Sequence, residues 1–177
     1  MLPPHPDNTR SMEFSLRSFE ASDAPLLPEY ANNYEVARFL TDMFPHPYTE
    51  EDAVRFIHMA TQDQPRRIFA IDMGGRACGA IGLHPQQDVF RKNAELGYWL
   101  AQPFWGSGIM TRAVQQMVGY GFTNFDIDRI FARPYGSNLA SQRVLEKAGF
   151  RLEARFTKNI LKFGERLDEL VYAIRRS

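Results

Sequence analysis

Two short stretches of this chain carry residue types at a spacing that chemistry can use. In Pro103-Phe104-Trp105-Gly106-Ser107-Gly108-Ile109-Met110-Thr111, two glycines stand just ahead of a strongly periodic apolar segment. Glycine lets the backbone turn tightly with no Cβ in the way. The first unpaired amides of the following helix then point into the loop, at the positive end of its dipole. Such a nest suits a pyrophosphate, and a strand-to-helix turn that binds nothing has the same residues. It is neither a Gly-Lys-Ser/Thr phosphate loop nor a G-x-G-x-x-G dinucleotide turn, because position 111 is Thr. In the second stretch, Arg133-Pro134-Tyr135-Gly136-Ser137-Asn138-Leu139-Ala140-Ser141, Pro134 stops a strand and Ser137 or Asn138 can cap the next helix. Ser141 falls in the first turn of that helix, so Asn138 and Ser141 can both face the end of the adjacent strand.

The remaining reactive residue types point elsewhere. Cys78 is the chain's single cysteine, which excludes an internal disulfide and any multi-cysteine zinc site. It reads as a small apolar residue in a strand rather than a nucleophile. No spacing among His5, His46, His58 and His84 suggests a metal site.

These segments need elements to hold them. Glu13 to Arg17 alternates polar and apolar residues as a first strand does. Ser22 or Asp23 offers an N-cap for a helix carrying Leu26, Leu27, Tyr30, Ala31 and Tyr34. A second helix starts at Thr49-Glu50-Glu51-Asp52, a near capping box, with Ala53, Phe56, Ile57 and Ala60 as its apolar stripe. Runs 67–72 and 76–83 flank Gly74-Gly75 as a hairpin. In Asn93 to Leu100, the residues Ala94, Leu96, Tyr98 and Leu100 share one face, while Glu95, Gly97 and Trp99 share the other. Met110, Ala113, Val114, Met117, Val118 and Gly121 line a helix over 109–122, followed by a strand over 129–132 and a helix from Asn138 to Ala148 ended by Gly149. Two strands around Phe163-Gly164-Glu165 complete an α+β chain.

Composition sets the outer bounds. A chain of 177 residues predicts one domain over 12–177, after a flexible Pro-rich tail at 1–11 that lacks the apolar core of a signal peptide. With 21 basic against 21 acidic side chains, the long-range attraction of a general nucleic-acid or membrane-surface binder is missing. No apolar run approaches a membrane span, so a cytoplasmic domain is the expectation, as monomer or homodimer.

Taken together, Gly97-Tyr98-Trp99-Leu100, Trp105-Gly-x-Gly, Asn138-x-x-Ser141 and Glu146-Lys147-Ala148-Gly149-Phe150 resemble the GNAT superfamily of acetyl-CoA-dependent N-acetyltransferases. The likeness is to the branch with the ribosomal-protein alanine N-acetyltransferases, and it covers residues 12–175. The resemblance implies a mixed, mostly antiparallel sheet of about seven strands with helices on both faces. The fourth and fifth strands would splay, and the pantetheine arm would lie in the gap. Acetyl-CoA is then the co-substrate, no metal is implied, and a primary amine is the acceptor. Gly106, Ser107, Gly108, Ile109, Met110 and Thr111 would hold the pyrophosphate by their amides. Trp99 and Leu100 would line the pantetheine and offer an amide to the thioester oxygen. Asn138 would bond the arm, with Ser141 near the sulfur. Glu95 matches the acidic residue that opens the fourth strand in this branch, where it is often proposed as general base; the alternative is a strand carboxylate paired with an arginine such as Arg91. Phe44, His46, Tyr48 and His84 are candidate acceptor contacts.

Three positions depart from the family pattern: Pro103 stands where Gln or Arg is expected, Leu145 where a Tyr general acid often sits, and Arg112 where the branch carries an acid. The expected reaction is direct attack of an amine on the thioester. The competing reading is a CoA-binding sensor or partner module without turnover.

Overall fold

The computed structural model describes residues 13–176. The tail predicted over 1–11 lies outside the described residues. Among the described residues, seven strands form one sheet in the order β1-β2-β3-β4-β5-β7-β6. They are β1 Ser15–Arg17, β2 Ile68–Met73, β3 Arg76–Pro85, β4 Asn93–Leu100, β5 Arg129–Ala132, β6 Arg151–Lys162 and β7 Glu165–Arg175. Among the described residues only β4 and β5 run parallel; every other pairing is antiparallel. The helices are α1 Leu27–Ala31, α2 Tyr34–Ala37, α3 Glu50–Ala60, α4 Ile109–Asn124 and α5 Leu139–Lys147.

Alternation along β4 sends its side chains into two cores, one on each face of the sheet. Ala94, Leu96 and Leu100 pack with Ile109, Val114 and Met117 of α4 and with Leu145 of α5. Trp99 packs on the other face with Leu27, Ala31, Val36, Ala53 and Ile57 from α1 to α3. Helix α4 lies close on the sheet because position 121 has no side chain. A Cβ on Gly121 would come 2.5 Å from Leu83 Cδ1 and 3.1 Å from Ile130 Cδ1.

Local signals explain the helix ends. Thr49 accepts from the Asp52 amide while the Asp52 carboxylate accepts from the Thr49 amide at 2.8 Å, the reciprocal cap that starts α3. Gly149, at φ 95°, lets the Phe150 amide donate back to the Leu145 carbonyl at 3.0 Å and closes α5.

The first predicted helix is not one helix. A 3-10 turn at Ala21–Asp23, α1 and α2 replace it, broken by Pro25 and by Asn32-Asn33. Asp23 does not cap a long helix: it is buried, accepting from Arg17 at 2.8 Å and from the Glu20 amide at 2.9 Å. Burial works to raise its pKa, but those hydrogen bonds outweigh it and the net shift is downward.

Candidate active site

Strand β4 is paired with β3 along its length, from Ala94↔Pro85 to Leu100↔Gly79. Its pairing with β5 stops after Asn93, Ala94 and Glu95. Beyond Glu95 the sheet opens, because β5 ends at Ala132 and Pro134 follows. The ladder fixes which groups of β4 face this gap. Gln86 donates to the Asn93 carbonyl at 2.9 Å and Ala101 donates to the Cys78 carbonyl at 2.8 Å, so the odd-numbered residues between them bond β3. The Leu96 carbonyl and the amides and carbonyls of Tyr98 and Leu100 therefore point into the gap, while the Leu96 amide closes the last β5 pairing at Phe131. This corrects the expectation for Trp99. Its amide belongs to the β3 ladder, and its ring is buried on the opposite face, 5.6 Å from the Phe44 ring. The backbone of Leu100 faces the gap, as does that of Tyr98.

At the end of the gap, Gly106 and Gly108 take φ values of 74° and 77°, which an L side chain disfavours. A Cβ on either would meet nothing within 4 Å, so the loop is bordered by open space. Trp105 Nε1 donates to the Leu100 carbonyl at 2.7 Å, which pins the loop to β4, and Ser107 Oγ donates to the Phe104 carbonyl at 2.5 Å within the loop. No side chain caps α4, and its first turn closes with Arg112 donating to the Gly108 carbonyl at 3.2 Å. The amides of Ile109, Met110 and Thr111 precede that bond and have no place in the helical ladder. The Ile109 and Met110 side chains are buried, so they can serve an anion only through the backbone. Gln102, one place before Pro103, accepts from Asn33 Nδ2 at 2.8 Å and so ties the loop to the α1–α2 connection. Arg112 lies over the Phe14 ring at 4.9 Å.

Helix α5 follows β5 and brings up the other wall of the gap. Asn138 accepts from the Ser141 amide at 3.1 Å, the plain N-cap, so a ligand contact from Asn138 would use its amide nitrogen. Ser141 Oγ lies 2.7 Å from the Tyr98 hydroxyl. The alternation of β4 puts Tyr98 on the correct face, yet nothing in its sequence neighbourhood gives it a role. Burial pushes its phenol pKa up and holds it neutral. Leu145 is fully buried in the core.

On the other face, Glu95 makes a two-pronged ion pair with Arg133, Nε at 2.9 Å and Nη2 at 3.0 Å. Arg91 is not its partner and instead donates to the Asp88 carbonyl at 3.1 Å. Arg133 also reaches Glu169 at 3.3 Å, and its pKa is raised chiefly by the hydrogen bond to Glu95. Thr41, Asp42, Glu95, Arg133, Tyr135 and Glu169 are among the residues around a cleft of ≈ 250 Å³. Lys162, 5% exposed, enters it at the β6 end and meets Asp42 at 2.7 Å.

His84 stands directly opposite Glu95 on β3. Much of its surface is open, yet crowding of the ring lowers its pKa, partly offset by Glu95. His46 is exposed and lies beside Tyr34 and Phe163, whose rings stack 5.3 Å apart. Tyr48, expected to touch an acceptor, is 5% exposed and packs in the core against the half-buried Phe44. Burial raises its pKa to about 12. Neither Asp42, Arg133 nor Lys162 has a local sequence signal, because each reaches the cleft from a separate element.

The model of the acetyltransferase (GNAT) domain matches residues 13–151. The chain belongs to the GNAT family of N-acetyltransferases. An uncharacterized N-acetyltransferase of Bacillus subtilis, YnaD, is 30% identical to this acetyltransferase over 160 residues, covering 90% of this chain and 91% of the relative. A GNAT-family acetyltransferase from Bacillus anthracis superposes with a TM-score of 0.78 at 27% identity, over 92% of this chain and 94% of that one. RimL, a ribosomal L7/L12 alpha-N-protein acetyltransferase solved with coenzyme A, superposes with a TM-score of 0.80 at 23% identity, over 92% and 93% of the two chains. At that identity the likeness is one of fold.

Proposed function

We propose that this N-acetyltransferase moves the acetyl group of acetyl-CoA to a primary amine, a protein N-terminus or a small molecule, by direct attack in a ternary complex. One observation carries the reading. The sheet is open between β4 and β5 beyond Glu95, with the anion nest of α4 on one face and the Glu95 cleft on the other. A thioester held through its phosphates on one face can meet an amine held on the opposite face.

The pyrophosphate would rest on the amides of Gly106 to Thr111, where hydrogen bonds to charged oxygens are strong. Neutrality of the chain is then no obstacle, since local donors do the holding. The gap-facing amides of Tyr98 and Leu100 would polarise the thioester carbonyl. An α-amino group has a pKa near 8, so roughly a tenth is uncharged at pH 7, against under about one in a thousand for a lysine amine near 10.4. A carboxylate acting through water suffices for the first. Glu95 is that carboxylate in this reading, oriented by Arg133 and flanked by His84. The carbon–nitrogen bond forms as the carbon–sulfur bond breaks, and the thiolate leaves with its electron pair beside Ser141. Positioning two reactants together supplies about 7–11 kcal/mol of the barrier reduction. The buried, single cysteine fits a cytoplasmic setting, where no disulfide is needed.

The test is release of CoA thiol from acetyl-CoA against a panel of N-terminal peptides, polyamines and aminoglycosides. Amine-dependent release with acetylated amine as product supports the reading. CoA binding without turnover on any amine would leave a binding module.

A further inference from the structure

We propose that Tyr98 is a positioning residue for the departing thiol: its phenol donates to Ser141 Oγ and so turns the Ser141 proton toward the sulfur. This rests on the reading that the pantetheine arm occupies the gap.

The two hydroxyls lie 2.7 Å apart, and geometry allows either to be the donor. Acidity decides. A phenol, with an ordinary pKa near 10, gives up its proton far more readily than an alkanol, so Tyr98 donates and Ser141 accepts. Burial raises the Tyr98 pKa, which keeps that proton in place through neutral pH. A serine hydroxyl has a single proton. With a lone pair of Oγ occupied by Tyr98, and Asn138 Oδ1 already engaged by the Ser141 amide, the Ser141 proton is free to point into the gap. Among the described residues Tyr98 is the only partner of that hydroxyl.

The bond also spans the gap. Tyr98 lies on β4 beyond its last pairing with β5, and Ser141 lies in the first turn of the helix that follows β5. It therefore fixes the distance between the two walls at the place where the sulfur would leave. No proton is transferred from Tyr98. The thiolate carries away the electron pair of the carbon–sulfur bond and accepts a hydrogen bond from Ser141, which the phenol polarises.

The probe is CoA itself, bound to the full chain, with thiolate formation followed by ultraviolet absorbance as pH rises. Tyr98→Phe keeps the ring and removes only the donor. It should raise the pKa of the bound thiol by about half a unit to one unit, the size of an ordinary hydrogen bond. Ser141→Ala should raise it by at least as much, and the double variant no further than Ser141→Ala alone. In turnover, kcat for Tyr98→Phe should fall about two- to tenfold with KM for acetyl-CoA unchanged. A ring-fluorinated tyrosine at position 98, a stronger donor in an intact fold, should lower the thiol pKa. Equal thiol pKa values in the wild type, Tyr98→Phe and the fluorinated protein would overturn the role of Tyr98 while leaving the CoA site standing. A wild-type chain that binds no CoA would instead overturn the reading of the gap, and the role of Tyr98 with it.

Discussion

Substituting Gly108 by Ala separates the two things that the glycine does. The residue caps α4 at φ 77° and ψ 0°, and a Cβ there would meet nothing within 4 Å. The stability cost is therefore conformational rather than steric, about 1–2 kcal/mol for an L residue held in the left-handed region. For a domain of 150–250 residues this lowers the melting temperature by roughly 2–8 °C. The open space is the second matter. If phosphate oxygens occupy it, the new methyl group stands among the amides of Ser107 to Met110. Each hydrogen bond to a charged group that is lost weakens binding by about 1.5–3 kcal/mol, or about 10- to 150-fold. Gly74→Ala is the matched control. It sits at φ 63° with nothing within 4 Å, but in the β2–β3 hairpin. Both variants should melt lower by similar amounts, measured by thermal unfolding, and only Gly108→Ala should lose CoA affinity by calorimetric titration. If the two bind CoA equally well, the nest is not the phosphate site.

Three other perturbations test separate steps. Glu95→Gln should lower kcat/KM by about a hundredfold or more, the lower end for a lost general base, while CoA affinity holds; full activity over roughly pH 6–9 removes Glu95 from that role. Cys78→Ala should keep turnover and lose about 1 kcal/mol of stability in a denaturant titration, since the thiol is only 1% exposed; a folded but inactive variant would point to an acyl-enzyme. Tyr48 has its folded pKa raised to about 12, so its contribution to stability is whole below the unfolded value near 10 and lost as pH rises through 12. Two units correspond to about 2–3 kcal/mol, and Tyr48→Phe should flatten the alkaline stability curve by that much.

Local spacing alone makes several elements legible. The bounds of β4, the cap at Thr49, the turn at Gly74-Gly75 and the stop at Gly149 all follow from neighbours within a few residues. The glycine pair at 106 and 108 is visible for the same reason. What spacing cannot show is which distant residue a strand will place alongside. The sequence offers Arg91, four residues away, as a partner for Glu95, whereas parallel pairing of β4 with β5 brings Arg133 to it. Tyr98 and Ser141 meet only because α5 follows β5 across the gap. Tyr48, in an exposed-looking Pro-rich loop, turns inward because Phe44 and Trp99 leave an apolar site for its ring. The first helix is broken at Pro25 and at Asn32-Asn33, and Asp23, which the sequence offers as its cap, is instead held by the half-buried Arg17.

The most direct test of transfer in a ternary complex is a single turnover with acetyl-CoA labelled at the thioester carbonyl, followed by nuclear magnetic resonance. With protein in excess and no amine, the label should remain a thioester, and adding an amine acceptor should convert it to amide in one step. Appearance of the label on the protein before any amine is added would contradict direct attack across the gap.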